Sequence, residues 1–450
     1  MRITVIGCGY LGATHAASMA ELGHEVLGVE IDEERRGALA RGTVPFHEPG
    51  LAELLGRHVA SGRLRFTDSF AEAGAFGDLH FVCVGTPQVR QGMGADVSQV
   101  DAAVESLAPH LTRQTLVVGK STVPVGTAAR LAARLAELAP AGADAELAWN
   151  PEFLREGHAI EDTLRPDRLV FGVASEIAEK LLRHFYGEAI DAGTPVVSTD
   201  YATAELVKVS ANAFLATKIS FINAVAEVCE VTGADVVDLA DALGHDERIG
   251  RRFLGAGIGF GGGCLPKDIR AFVHRAGELG VEDAMSFLRE VDQINQRRRQ
   301  RVVDLATEML DGRLRGRRVA VLGAAFKPES DDVRDSPALW IAGQLHMRGA
   351  KVRVYDPAAI EPAKRAYPRL KYKPSLAECV ADADLVLHLT DWAEFRSIDP
   401  AALAELVAGR RLLEAGQGSG DAVERGARHH ADGERGRGRG RGRGHGVRTN

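Results

Sequence analysis

Arg2-Ile3-Thr4-Val5-Ile6-Gly7-Cys8-Gly9-Tyr10-Leu11-Gly12 decides how the N-terminal half is read. Ile3 to Ile6 have strand character, and Gly7-x-Gly9-x-x-Gly12 leads from them into a helical pattern. A second apolar run, Val26 to Val29, is closed by Glu30, 18 residues beyond Gly12. Glycines so placed permit a tight turn and bring main chain close to a pyrophosphate at a helix N-terminus. A carboxylate ending the second strand binds ribose hydroxyls and repels a 2′-phosphate, which favours NAD over NADP. A bare GxGxxG is weak evidence; the strand–loop–helix–strand–acid context turns it into a dinucleotide-binding unit, against the blander reading of a glycine-rich turn.

Outward from this unit, further apolar runs at Leu79–Val84, Leu116–Gly119 and Glu146–Trp149 alternate with helical patterns. Such alternation predicts a parallel sheet covered by helices on both faces. Tyr201 to Thr232 contains neither Gly nor Pro and repeats apolar residues at helical spacing. A helix of that length runs roughly 48 Å at 1.5 Å per residue, so it is expected to join domains and carry a dimer interface. A second alternating unit follows, with strands at Arg318–Gly323, Val352–Pro357 and Leu385–Leu389. It lacks the glycine fingerprint after Gly323, so one nicotinamide cofactor per chain is expected.

The expected class is α/β, with two Rossmann-like doubly wound domains joined by a long central helix. Residues 1–195 form the NAD-binding domain, 196–300 a helical middle with the dimer interface, and 301–415 a sugar-nucleotide-binding domain. In 416–450 arginine alternates with glycine, a composition that builds no core and reads as disordered. With 450 residues, two or three domains are the expectation. The net charge of −7 gives no whole-protein reason to expect nucleic-acid or membrane partners, and no apolar run approaches the roughly 18 residues of a membrane helix. Five dispersed cysteines suit a reducing cytoplasm, and no Cys/His cluster has metal-ligand spacing, so no metal is expected.

The segment Gly261-Gly262-Gly263-Cys264-Leu265-Pro266-Lys267-Asp268 carries the clearest chemistry. Pro266 suits the first turn of a helix, which places Cys264 at a helix N-terminus, where the dipole favours thiolate. Three glycines before it are expected to let a bulky substrate approach. A buried structural thiol is the alternative. Lys208 and Asn212, four apart on the long helix, share a face and could polarise an oxygen at a reacting carbon; a snorkelling lysine with a satisfied amide is the bland counterpart. Asn150-Pro151-Glu152-Phe153-Leu154-Arg155-Glu156-Gly157 leaves a strand where ligand crevices form, and Glu152 and Glu156 could orient a sugar or manage a proton. Thr122, in Ser121-Thr122-Val123-Pro124, also follows a strand, with Pro124 expected to open a helix. Capping or surface roles are the alternatives for Glu152 and Thr122.

Taken together, these segments resemble the UDP-glucose/GDP-mannose dehydrogenase family from residue 1 to about 400. Ser121–Thr127, Asn150–Gly157, Glu205–Lys208 with Asn212, the Cys264 loop, Ala325–Pro328 and Asp331–Pro337 carry the resemblance, besides the glycine loop. It implies a four-electron oxidation with two NAD in succession, through a thiohemiacetal and then a thioester on Cys264. Lys208 and Asn212 then match oxyanion-stabilising residues, and Asp268 the one assisting Lys208 and the hydrolytic water. Thr122 and Glu156 match positions that hold water or nicotinamide, and Glu152 one close to the sugar and the proton transfers. Phe153, Leu154, Phe253, Gly257, Phe260, Gly261 and Lys327 match sugar-nucleotide contacts, as do Glu152, Lys208 and Asn212. Arg248 matches an arginine reaching the partner subunit's substrate. Arg35, Thr86, Lys267 and Arg334 match cofactor contacts, alongside Gly7, Gly9, Tyr10, Leu11, Gly12 and Glu30. Phe253-Leu254-Gly255-Ala256-Gly257-Ile258-Gly259-Phe260 resembles the UDP-glucose branch, with GDP-mannose and UDP-N-acetylhexosamines as alternatives.

One departure stands out. After Leu412-Leu413, where the family pattern carries an Asp-x-Arg-Asn type segment, this chain has Glu414-Ala415-Gly416-Gln417-Gly418 and then the Arg-Gly stretch. The abrupt change reads as a shifted reading frame, and a genuine tail would put substrate affinity in doubt. Two other functions are weighed against the main reading. A two-electron hydroxyacid-type dehydrogenase would need neither Cys264 nor the second α/β unit. A nucleotide-binding protein inactivated by the altered C-terminus would bind both ligands without turnover.

Overall fold

Five apolar segments of the first 150 residues pair side by side in a sheet. They are β1 (Arg2–Ile6), β2 (Glu25–Val29), β4 (Leu79–Val82), β5 (Thr115–Gly119) and β6 (Ala145–Trp149), joined by β3 (Leu64–Thr67), β7 (Leu169–Gly172) and β8 (Val196–Thr199) in the order β3-β2-β1-β4-β5-β6-β7-β8. The structure is a computed structural model that describes residues 1–409 and 411–414. The disorder reading for 416–450 therefore lies outside the described residues.

β1 to β6 are parallel, whereas β7 runs antiparallel to β6 and pairs in parallel with β8. The sheet is thus mixed at one edge, beyond the all-parallel expectation. β3, β7 and β8 were not read from the alternation pattern; β3 and β8 are edge strands, and each is only partly covered. Separate apolar cores form on the two faces, with Ile3, Val5 and Phe81 on one and Ile6, Val82 and Val117 on the other.

The helix Tyr201–Thr232 spans 32 residues. Asp200 caps its start by accepting from Thr203 N at 2.8 Å, and Gly233, at φ +78°, ends it in a left-handed turn. It packs against the helices Leu265–Glu278 and Phe287–Met309. The second unit holds β9 (Arg318–Leu322), β10 (Lys351–Tyr355), β11 (Lys371–Tyr372), β12 (Leu385–His388) and β13 (Leu412–Glu414), all parallel, in the order β11-β10-β9-β12-β13. At the end of β10, buried Asp356 accepts from Ala324 N, Ala325 N, Ala358 N, Ala359 N and Trp392 Nε1. This carboxylate stands where Glu30 stands in the first unit, with its oxygens committed to main chain and indole.

The loop 253–263, between the central helices, is built against side chains of the helix Phe287–Met309. Asn295 Oδ1 accepts from Phe260 N at 2.7 Å, and its Nδ2 donates to Phe260 O at 2.9 Å. Arg299, 1 % exposed, donates to Phe260 O and to Asp335, tying the loop to the second unit. Asn295→Ala leaves the Phe260 N–H and one acceptor buried without this partner, so a loss of about 2 kcal/mol is expected. Thermal and denaturant unfolding against wild type measure it.

Candidate active site

Cys264 lies where the three parts of the chain converge. It directly precedes the helix Leu265–Glu278, with Pro266 in the first turn, as the sequence pattern anticipates. The three glycines before it do something different from what their flexibility suggests. A Cβ on Gly261 would come within 2.4 Å of Asp335 O, on Gly262 within 2.8 Å of the Phe326 ring, and on Gly263 within 2.2 Å of the Arg334 guanidinium. Gly262 also donates to Arg334 O at 2.9 Å. The glycines let segment 326–335 of the second unit dock on the nucleophile loop; the space is taken by protein rather than left for a bulky ligand.

Cys264 is exposed to the cleft, yet protein walls crowd it. Burial pushes its thiol up to about 12; Asp268 adds to the rise, and Lys208 opposes it less strongly. Both burial and the dominant charge act against the thiolate. The thiol is therefore the resting form, against the helix-dipole expectation, because burial first and the Asp268 charge second disfavour the thiolate. Glu152, Glu156, Lys327 and Arg334 also act on this sulfur.

Lys208 is buried and pairs with Glu152 Oε1 at 3.1 Å, and its Nζ lies 5.5 Å from the Phe153 ring centre. Burial disfavours its charge, but Glu152, Cys264 and Asp268 outweigh that and raise its pKa, so it stays an ammonium. Asn212 Nδ2 donates to Asp268 Oδ2 at 2.6 Å, and Lys267 pairs with Asp268 Oδ1 at 2.8 Å. Lys267 also reaches Thr86 Oγ1 at 3.4 Å, and Thr86 donates to Thr122 O at 2.7 Å. One polar chain thus runs from the central helix to the ends of β4 and β5. Phe214, six residues beyond Lys208 on the same helix, is 67 % exposed.

Around Glu156 the first unit meets the second. Ser330 Oγ donates to Glu156 Oε2 at 3.0 Å, Lys327 Nζ to its carbonyl, and Arg334 lies 3.7 Å from Oε1. Burial first, then the charge of Asp332, pushes its carboxyl up to about 7 against Arg334 and Lys327. A carboxyl tuned there can accept or donate a proton at neutral pH. Leu154 N donates to Glu152 Oε2 at 2.6 Å, fixing the turn that carries both acids.

The glycine loop has room for a dinucleotide. Gly7 adopts φ +85°, and a Cβ on Gly12 would strike Gly7 O at 1.9 Å, whereas one on Gly9 would meet nothing within 4 Å. The loop is closed where it packs and open where the helix Tyr10–Glu21, carrying Tyr10 and Leu11, begins. Glu30 is held ready by Cys8 N at 3.1 Å and Asp32 N at 3.0 Å and pairs with Arg35 at 3.2 Å. These residues fit NAD, which would supply the hydride acceptor.

Phe253 holds φ +64°, strain that a bulky residue keeps only where its surroundings impose it. Gly257 N donates to Asn223 Oδ1 at 2.8 Å, and Phe260 is braced as described above. Arg248 is exposed, pairs with Asp246 and lies outside this chain's cleft. The segment after Thr122 is a turn, and the helix expected to open at Pro124 begins at Thr127. Gly126, in a left-handed conformation, offers no side-chain cap there, so Glu205 of the long helix caps it by accepting from Gly126 N at 2.7 Å and Ala128 N at 2.6 Å. Glu48 was missed, although it accepts from Gly157 N, Ala159 N and Tyr10 Oη and anchors the Glu156 loop. Its only sequence signal is a lone carboxylate beside Pro49.

A dinucleotide cradle facing a cleft with a cysteine, a charged lysine and a neutral-range carboxyl defines a nicotinamide-dependent dehydrogenase. Residues 1–190 match the NAD binding domain of the UDP-glucose/GDP-mannose dehydrogenase family, 202–297 its central domain and 320–416 its UDP binding domain. The chain is 42% identical over 412 residues to the UDP-glucose 6-dehydrogenase YwqF of Bacillus subtilis (strain 168), covering 90% of this chain and 91% of that one. It is similar to the structure of a UDP-glucose dehydrogenase from Pyrobaculum islandicum, with TM-score 0.86, 38% identity and coverage of 94% and 98%. A UDP-D-ManNAc dehydrogenase from Pyrococcus horikoshii follows at TM-score 0.81 and 27% identity, covering 94% and 100%. The chain belongs to the UDP-glucose/GDP-mannose dehydrogenase family.

Between 4.5 and about 7 the folded chain binds the Glu156 proton more tightly than the unfolded chain does. Stability attributable to this group therefore falls as pH rises through that window. Glu156→Gln is expected to flatten that part of the curve, checked by melting both proteins from pH 4.5 to 7.5.

Proposed function

We propose that this chain oxidises UDP-glucose to UDP-glucuronate with NAD, using Cys264 as a covalent nucleophile. The observation carrying the reading is the convergence of Cys264, Lys208, Asn212 and Asp268 on one cleft that also receives Glu152 and Glu156. UDP-glucose is favoured over GDP-mannose because the relatives at about 40% identity are UDP-glucose 6-dehydrogenases.

NAD, held by the glycine loop and Glu30, would supply the hydride acceptor for the two oxidations at C6 of the hexose. Lys208 and Asn212 stabilise negative charge on the C6 oxygen, in the manner of an oxyanion hole. The Cys264 sulfur adds to the aldehyde, and the thiohemiacetal so formed is oxidised to a thioester. Asp268 orients Asn212 and Lys267, and Glu156 accepts the proton of the water that hydrolyses the thioester. Phe253, Gly257 and Phe260 hold the nucleotide. Thr86, Arg35 and Arg334 complete the cofactor contacts, and Arg248 reaches the partner's site.

NADH formed per limiting UDP-glucose tests this. Two NADH per sugar are expected, and Cys264→Ser should stall at an aldehyde-level or covalent species. One NADH would make Cys264 structural, and turnover of GDP-mannose alone would reassign the substrate.

The reading includes a homodimer in the cytoplasm. Phe214, Phe221 and Val228 recur every seven residues along the long helix, each more than half exposed. Such a stripe needs a partner. Five unpaired cysteines suit a reducing compartment, and no helix among the described residues is long and apolar enough to cross a membrane. Phe214→Glu with Phe221→Glu is expected to convert a dimer to a monomer in analytical ultracentrifugation; an unchanged mass removes this interface.

A further inference from the structure

A buried lysine behind the Glu152 turn takes no part in the chemistry above. Lys120 follows β5, and its main-chain N–H reaches Val82 O at 2.9 Å. The side chain is 7 % exposed, and Nζ donates to Asn150 Oδ1 at 2.9 Å, Asn150 O at 3.4 Å and Tyr186 Oη at 3.3 Å. All three partners are neutral oxygens. The Phe81 and Tyr186 ring centres lie 6.0 and 5.8 Å away.

Burying a cation among neutral partners costs several kcal/mol, and an apolar chain of the same length would fill the space more cheaply. The charge therefore does more than pack. What it grips is the exit of β6. Asn150, 1 % exposed, accepts from Lys120 and from Tyr186 Oη at 2.6 Å and donates to Val170 O at 3.0 Å. Pro151 follows with its fixed φ, and the next residue is Glu152, paired with Lys208 at 3.1 Å. With Asn150 clamped and Pro151 stiff, little freedom remains to Glu152.

We propose that Lys120 is a positioning residue, whose ammonium, through Asn150 and Pro151, holds Glu152 against Lys208. Its ammonium meets Asn150 and Tyr186 rather than Cys264 or Lys208, and the inference rests on the cleft being the active site. Burial brings the Lys120 ammonium down to about 8; Cys83 and Glu152 resist, and Lys208 assists. His15, whose own ring feels Lys120, and Tyr186 are the other titratable groups facing it.

The test pairs Lys120→Met, which keeps length without charge, with Lys120→Arg, which keeps a charge that does not titrate here. Lys120→Met should lower kcat roughly 10- to 100-fold while both KM values stay within about 3-fold. Its melting temperature should hold, and its crystal structure should show the 3.1 Å Glu152–Lys208 pair opened beyond 4 Å. Wild-type kcat should decline through about pH 8, and Lys120→Arg should move that decline to higher pH.

Wild-type kcat in Lys120→Met with the ion pair in place overturns the proposal, as does an unmoved alkaline limb in Lys120→Arg. Should the methionine variant not fold, Lys120→Arg and Tyr186→Phe decide, the latter expected to shift the same limb. The crystal structure reads the turn without turnover. A wild type inert toward UDP-glucose therefore sinks the functional reading separately and leaves Lys120 to be judged on the ion pair.

Discussion

Holding a protonated lysine out of water is the constraint on which the rest of the cleft depends. Removing an ammonium from solvent costs several kcal/mol unless opposite charge meets it in good geometry. Lys208 meets Glu152 at 3.1 Å and feels Asp268 and Cys264, which together outweigh its burial. The partners arrive on two elements other than the lysine's own. Glu152 comes from the turn after β6, Asp268 and Cys264 from the start of a central helix, and Lys208 from the middle of the long helix. Once buried, the lysine keeps its charge because Glu152 of the first unit and Asp268 of the helical middle both meet it, so the ion pair couples domain placement to the chemistry.

That docking is reinforced by carboxylates acting on main chain. Glu205, one helical turn before Lys208, caps the helix that begins at Thr127, fixing the Thr122 turn to the element that carries Lys208. Glu48 does the same for the loop around Gly157. On the other side, Arg299 and Asn295 hold Phe260, and the glycines before Cys264 admit Phe326 and Asp335. Three parts of the chain thus lock around one sulfur through hydrogen bonds to backbone, a mode of bracing that fixes position without filling the cleft.

Much of this was legible beforehand, and the boundary is physical. The long helix could be read from end to end because Asp200 and Gly233 are strong stop signals and nothing between them breaks a helix. The central strands were legible because they are apolar runs covered on both faces, whereas the edge strand β8 is mostly uncovered and carries no such run. Lys208, Asn212 and Asp268 were readable as types and spacing. Lys120, Glu48 and Glu205 gained no role from pattern, because their partners are main-chain or neutral side-chain groups brought near only by folding. The Cys264 thiol was misjudged for a related reason. The helix dipole is local and visible in sequence, while the burial that raises the thiol most arises only when the folded cleft closes around it.

A resting thiol is consistent with the proposed chemistry rather than an obstacle to it. When a thiol adds to an aldehyde, a carbon–sulfur bond forms, the carbonyl π bond breaks, and the oxygen requires one proton. The sulfur supplies one. The addition is therefore proton-neutral overall, and the site need only move that proton from sulfur to oxygen while Lys208 and Asn212 hold the charge that develops between. A thiolate standing free in the cleft would gain nucleophilicity before any aldehyde exists and would be open to alkylation or oxidation. With Asp268 opposing and Lys208 favouring the thiolate, the balance at Cys264 lies toward the thiol at rest and tips when a carbonyl oxygen gives the lysine a second anion to serve.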